Sequence, residues 1–238
     1  MRPPQVKTRV TMDEKTTGGG NPFTNPALTE GYENWYETTG RRADRLEKAL
    51  LQRFTADFPH AHTLLEIGCG TSHFSRWFAA LGLRVTGMDI SRSMLREATQ
   101  RSDLPHFLGD ALRLPLANGS FDLAALITTL EFLPDPLQGL SEGFRVARQG
   151  LILGVLNRHS VLGMKLQRSN EPPWDEARLF TPKELSDLVQ QAAGTRKIQI
   201  KWRTTLYPLL PFSLPLPGGG FIGIRVQIER DIHRTRVQ

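Results

Sequence analysis

Between residues 63 and 157 the chain alternates five short apolar runs with helical stretches, and no other feature constrains its fold as much. The runs are TLLEI (63–67), RVTGMDI (84–90), HFLGD (106–110), DLAALI (122–127) and LILGVLN (151–157). Near-continuous apolarity, with no polar face left over, marks strands buried on both sides, as in a parallel sheet covered by helices. Right-handed crossovers leave a doubly wound α/β sheet as the economical topology. The intervening stretches carry start and stop signals. Leu46, Leu50, Phe54 and Phe58 recur every four residues on an amphipathic face that Pro59 is expected to end. Gly82 supplies a left-handed cap after SHFSRWFAAL, and Ser91 caps a helix that turns Met94, Leu95 and Ala98 inward. Asn118-Gly119 makes a turn before the fourth run. Gly150 is expected to close the helix of Leu137, Leu140, Phe144 and Ala147.

The last third reads differently. Residues 158–180 are polar and irregular, in the position of a cover over a site. Thr181-Pro182-Lys183-Glu184 is a capping box with proline at the first helical position. KIQIKWRT (197–204) and FIGIRVQIE (221–229) alternate and predict an antiparallel pair completing the sheet. Between them LYPLLPFSLPLPGGGF (206–221) is apolar and proline-rich. It is either a loop that meets a lipophilic acceptor, a membrane surface or a partner subunit, or a long connection folded on the body. Residues 1–24 read as a flexible arm, leaving 25–238 for one enlarged domain.

With 39% hydrophobic and 23% charged residues, the chain can bury a core, which excludes global disorder. No apolar run approaches the ~18 residues of a membrane span. The N-terminal stretch, charged and rich in Gly and Pro, reads as neither signal peptide nor anchor. The single cysteine, Cys69, excludes an intramolecular disulfide and a multi-cysteine zinc site, so no metal is expected and the cytoplasm is the default location. The net charge is +6, but residues 1–15 and 221–238 each contribute two of those charges. A nucleic-acid groove would instead gather charge and aromatics around a site, so nucleic acid is not expected as the main substrate.

In a doubly wound sheet, ligands bind beyond the carboxyl ends of the strands. Three features converge there. Glu66-Ile67-Gly68-Cys69-Gly70-Thr71 ends the first run in a turn free of side-chain bulk, followed by a helix N-terminus. Asp89 ends the second run, 19 residues after Gly70, where an acid can accept both hydroxyls of a ribose. Gly109-Asp110-Ala111 ends the third, where another acid can accept an adenine amino group. Each alone has a plainer reading, as a strand-helix turn, a helix-capping aspartate and a turn aspartate. Together they point to an adenosine-containing ligand. The dinucleotide pattern GxGxxG would need glycine where His73 stands, so adenosine without a diphosphate fits better.

The stretches LLEIGCGTSHFSRWFA, VTGMDISRSML, GDALRLPLANGSFDLAALITTLEFLPDP and ARQGLILGVLN resemble the class I S-adenosylmethionine-dependent methyltransferases. The resemblance is to the small-molecule branch (methyltransferase type 11) that includes ubiquinone- and menaquinone-type enzymes. It implies a Rossmann-like seven-stranded sheet, mostly parallel with an antiparallel last strand, and S-adenosylmethionine as cofactor. Carried over by position, Glu66, Gly68, Cys69 and Gly70 lie in the motif around the methionine portion. Asp89 matches the ribose acid, with Ile90 and Met94 near the adenine; Asp110 and Ala111 match the adenine edge; Thr128 matches the residue facing the methionine end. Ser72 stands where the family often has a third glycine, and Glu131-Phe132 where it often has Glu-His, which removes a candidate base.

Methyl transfer from a sulfonium needs alignment more than a catalytic side chain, and a base only for an acceptor with a tightly held proton. Tyr32, Trp35 and Tyr36 resemble the family's aromatic lid, Tyr36 foremost, or else dock the N-terminal helix as a plug. His73 is placed to approach the methionine carboxylate or to stay at the surface. Tyr36 and His159 are the catalytic candidates, His159 as a base on the acceptor rim. Trp174 and Arg178 lie in the expected cover, where Arg178 can hold an acidic acceptor or form a surface ion pair. Trp77 and Phe78 read as core, and Cys69 as a small buried filler. The reading is thus a methyltransferase for a small metabolite, a lipophilic one included, with peripheral membrane contact and oligomeric state left open. The competing readings are a nicotinamide-dependent oxidoreductase, weakened by His73, and a non-catalytic methyltransferase-like RNA-binding module.

Overall fold

The computed structural model describes residue 23, residues 26–169 and residues 171–229. The arm expected over 1–24 therefore lies, apart from residue 23, outside the described residues. Two helices, α1 (Pro26–Glu37) and α2 (Arg41–Thr55), precede the alternating region. There follow β1 (Thr63–Ile67), α3 (His73–Ala80), β2 (Arg84–Asp89), α4 (Arg92–Arg101), β3 (His106–Leu108) and β4 (Phe121–Ile127). A single 3-10 turn (Leu130–Phe132) leads to α5 (Pro136–Val146), β5 (Ala147–Leu156) and α6 (Val161–Ser169). The described chain closes with α7 (Pro182–Ala193), β6 (Ile198–Thr205) and β7 (Phe221–Ile228).

The seven strands form one sheet in the order β3-β2-β1-β4-β5-β7-β6. The first five are parallel, and β7 runs antiparallel to both β5 and β6. The expected antiparallel pair is present, with its second strand wedged between β5 and the edge strand β6. Neighbouring strand residues are buried on opposite faces, which explains the unbroken apolar runs. Leu65, Ala124 and Leu151 pack with α5 and α7, whereas Leu64, Leu123 and Ile152 pack with α2 and α3.

The caps at Ser91 and Thr181 form as read: Ser91 Oγ accepts from the Met94 amide, and Thr181 and Glu184 complete their reciprocal box. Three boundaries differ. Helix α2 ends at Thr55, before Pro59. Helix α5 ends at Val146, and Gly150 lies inside β5, where a Cβ would sit 2.1 Å from the Val226 carbonyl oxygen. That glycine permits close approach of β7 and Phe58; it caps no helix. The stretch 158–180, read as irregular, contains α6. The helix escapes periodicity because it buries little: Leu162 and Leu166 touch the core while Val161 and Met164 face outward.

Candidate functional site

At the end of β1 the chain reverses through Gly68, Cys69, Gly70, Thr71 and Ser72 into α3. Gly68 (φ 74°) and Gly70 (φ 52°) adopt left-handed backbone, and Ser72 (φ 66°) follows them there without being glycine. The amides of Gly68 and Cys69 donate to the Met88 carbonyl at 2.8 and 2.9 Å, tying the turn to β2. One side of the turn is filled: a Cβ on Gly68 would fall 2.4 Å from Thr129 Cγ2. The other is clear: a Cβ on Gly70 would meet nothing nearer than Met94 Sδ at 4.0 Å.

Asp89 joins this turn to the next one. Its Oδ2 accepts from the Gly70 amide and its Oδ1 from the Ser91 amide, both at 2.8 Å. Burial pushes its carboxyl above the usual range against the pull of these amides. Each oxygen keeps acceptor capacity for a further donor. Beside it Ile90 is 46% exposed, an apolar surface next to a carboxylate. Asp110 is half-buried and its Oδ1 accepts from the Leu112 amide at 2.8 Å. Ala111 and Met94 are buried, the first in the core beneath β3 and β4. Thr128 is half-buried with left-handed backbone (φ 50°), and its amide donates to Gly154. Glu66 is buried and accepts a short hydrogen bond from Ser75 Oγ; burial pushes its carboxyl up to about 8. Cys69 is the filler expected: buried, its thiol pushed well up by desolvation, and packed where a side chain on Gly87 would otherwise reach.

The N-terminal helices are fastened to this turn by an ion network. Glu33 of α1 accepts from Thr71 Oγ1 at 2.5 Å and from Arg76 at 2.9 and 3.1 Å. His73 gives Nε2–H to Asp44 of α2 at 2.7 Å, while its Nδ1 lies 3.7 Å from Glu33. Burial works against charge on both groups. The His73, Thr71 and Arg76 partners outweigh it and hold Glu33 down at about 2, and Asp44 and Glu33 raise His73. Tyr36 stacks on His73 with ring centres 3.7 Å apart and planes at 12°. Tyr36, read either as the leading residue of an aromatic lid or as a plug, is buried between α1 and α3 against His73 and Phe74. His73 is likewise engaged by α1 and α2. Trp35 is exposed, and the Tyr32 side chain lies outside the described residues.

A depressed acid stabilises a folded contact above its unfolded value and loses that contribution as pH falls through its folded value. Glu33 should therefore hold α1 at pH 5 and release it progressively between about 4.5 and 2. Amide exchange of α1 should accelerate over that interval while the central strands stay protected, and Glu33→Gln should produce the same acceleration at neutral pH.

The opposite rim is aromatic. Phe132 meets Phe23 edge-on at 4.8 Å and Trp174 at 5.9 Å, so the half-buried Trp174 covers the end of β4 from the segment after β5. Arg178 is exposed, its guanidinium 5.5 Å from the Phe180 ring and its amide bonded to the Glu131 carbonyl. No salt bridge of Arg178 occurs among the described residues. His159 is exposed on the rim just after β5. The residue that the sequence names without a role is Glu131 itself. It is buried, its Oε1 accepts from the Leu156 amide at 2.7 Å, and its Oε2 has no partner. Burial pushes its carboxyl up to about 8. A raised acid costs stability as pH climbs from about 4.5 to about 8. Glu131→Gln keeps the accepting oxygen and removes the charge, so it should stabilise the protein at pH 8 by roughly 1–3 kcal/mol and leave it unchanged at pH 5. Thermal melts at the two pH values measure this.

A family model described as a methyltransferase domain matches residues 65–154. The structure superposes with a TM-score of 0.71 on an S-adenosylmethionine-dependent methyltransferase from Thermotoga maritima, described as a possible histamine N-methyltransferase. The match covers 86% of this chain and 97% of that one, at 28% identity. Residues 65–154 match a methyltransferase domain, and the fold is shared with an S-adenosylmethionine-dependent methyltransferase. Among curated relatives of the methyltransferase domain, the malonyl-[acyl-carrier protein] O-methyltransferase of Serratia marcescens is 32% identical over 136 residues, covering 57% of this chain and 46% of that protein. A demethylmenaquinone methyltransferase of Beutenbergia cavernae is 39% identical over 88 residues, 37% of each chain. The chain spans about half the length of the first curated relatives it matches. S-adenosylmethionine is the cofactor that this family and fold imply. The chemistry present fits it: a cleared glycine turn, a buried carboxylate with spare acceptor capacity and an exposed apolar neighbour, Ile90.

Proposed function

We propose that this chain is an S-adenosylmethionine-dependent methyltransferase whose acceptor is a small, lipophilic metabolite. The observation that carries the reading is the Asp89 carboxylate, which pins the Gly70 amide on one side and the start of α4 on the other, between two strand tips. In this reading Asp89 holds the ribose, Ile90, Met94, Asp110 and Ala111 surround the adenine, and Glu66, Gly68, Cys69, Gly70 and Thr128 enclose the amino-acid end. When bound, the cofactor supplies a methyl group on a positively charged sulfur, already activated for transfer. The protein's share is then to orient the acceptor and exclude water, which in favourable cases is worth up to ~7–11 kcal/mol. Phe132 and Trp174 provide the water-excluding wall on the acceptor side. His159, on the same rim, is available as a base for acceptors that must lose a proton, and Arg178 for an acceptor bearing an acid.

Relatives named for malonyl-[acyl-carrier protein] and for demethylmenaquinone suggest two acceptor types, a carrier-bound acid and a quinone. The aromatic rim favours the lipophilic type. Isothermal calorimetry with S-adenosylmethionine and S-adenosylhomocysteine should show binding of both and none of NADH. Binding of NADH alone would return the chain to the oxidoreductase reading, and affinity for RNA without either sulfur ligand would support the binding-module reading.

A further inference from the structure

Among the described residues, most exposed large apolar side chains gather in two places: Val161 and Met164 on α6, and Leu209, Phe212 and Leu216 in the connection between β6 and β7. The two places are neighbours. A Cβ on Gly220 would sit 3.0 Å from Leu162 of α6, and Asn157 Nδ2, just before α6, donates to the Pro217 and Gly219 carbonyls at 2.5 and 2.8 Å. They also share an edge of the sheet. Because β7 is antiparallel to both β5 and β6, the chain leaves β5 and β6 in the same direction. Helix α6 and the 206–220 connection therefore rise from the carboxyl edge, the edge that carries the glycine turn.

The connection is built, and it faces outward. Residues 206–220 contain no charged side chain. Leu209 is 92% exposed, Leu216 53% and Phe212 51%. Meanwhile several of the loop's carbonyls are taken up internally. Arg42 donates to the Tyr207 and Leu210 oxygens, Arg203 to Ser213, and Thr204 and Tyr207 to Leu216. Four positions are proline and carry no N–H at all. Each carbonyl bonded within the protein and each proline lowers the polar load that this loop would carry into an apolar phase. Lys165 and Arg168 stand on the same outward face of α6 as Val161 and Met164, along an opening of about 400 Å³. Neither α6 nor the loop contains an acid; the acids Glu171, Asp175 and Glu176 follow α6. Apolar side chains that project beside cations match the lipid-water boundary of an anionic bilayer.

We propose that α6 and the 206–220 loop form a surface that docks on anionic lipid bilayers, with Leu209, Phe212 and Leu216 entering the acyl region and Lys165 and Arg168 meeting the headgroups. The proposal stands whether or not the chain transfers methyl groups. Co-sedimentation of the full chain with phosphatidylcholine vesicles, with and without phosphatidylglycerol, tests it. Binding is expected to the anionic vesicles and to weaken roughly tenfold or more in Leu209→Ser/Phe212→Ser. It should become less salt-sensitive in Lys165→Glu/Arg168→Glu, with binding of S-adenosylhomocysteine unchanged in both variants. A Leu209→Trp reporter should shift its emission to the blue when vesicles are added. Absence of vesicle binding overturns the proposal. So does binding that survives the loop substitutions, which would place the contact elsewhere, and so does a loop substitution that dissociates an oligomer, which would make a second copy the occupant.

Discussion

Asp89→Ala is expected to weaken S-adenosylhomocysteine binding by at least about 100-fold while leaving the protein folded. Two effects add. The substitution removes the acceptor placed to meet a ribose, and it frees the amides of Gly70 and Ser91, which the carboxylate holds at 2.8 Å each. Hydrogen bonds to a charged group contribute roughly 1.5–3 kcal/mol each, and every ~1.4 kcal/mol is a factor of ten in affinity. The turn still has its bonds from Gly68 and Cys69 to Met88, so the strand order should survive. Asp89→Asn keeps one accepting oxygen and should fall between the two. Calorimetry read beside circular dichroism separates lost binding from lost fold; wild-type affinity in a folded Asp89→Ala protein would remove the basis of the proposed site.

Gly150→Ala should be strongly destabilising, because the added methyl group meets backbone across the β5–β7 pair. The new Cβ would lie 2.1 Å from the Val226 carbonyl oxygen and 2.7 Å from Phe58 Cζ, so both β7 and the Phe58 ring must give way. Overpacking of this kind costs about 1–3 kcal/mol even where side chains can yield, and here the nearest obstacle is backbone. With a melting-temperature change of about 2–4 °C per kcal/mol for a domain of this size, a drop on the order of 10 °C is expected. Gly31→Ala supplies the opposite sign. It lies inside α1 with nothing within 4 Å of the added carbon, and should stabilise by up to about 1 kcal/mol through helix propensity alone. If Gly150→Ala melted like wild type, the close packing of β5 on β7 would be refuted.

Legibility in the sequence followed the range of the interaction. Ser91 and Thr181 were readable as caps because their partners are three residues away. Gly68 and Gly70 were readable because a tight strand-helix turn demands left-handed backbone locally. Asp89 was readable only through its spacing from that turn. Gly150 was misassigned because a glycine after a helical stretch looks the same whether it caps the helix or admits a neighbouring strand. Glu33 and His73 carried no local signal for their pairing, since their partners come from other elements: Thr71 is 38 residues from Glu33, and Asp44 is 29 from His73. Helix α6 hid because its apolar residues are split between outside (Val161, Met164) and core (Leu162, Leu166), which defeats the one-sided pattern that reveals a helix.

The sequence by itself determined the strand-helix alternation, most of the caps and the side-chain-free turn, because backbone conformation and burial period are properties of a few adjacent residues. Only the tertiary structure decided that β7 enters between β5 and β6, that Tyr36 and His73 fasten the N-terminal helices to the glycine turn, and that Glu131 is buried with one oxygen unpartnered. Those outcomes depend on which groups meet across tens of residues of chain, where packing and charge pairing act between neighbours in space that the linear order does not reveal.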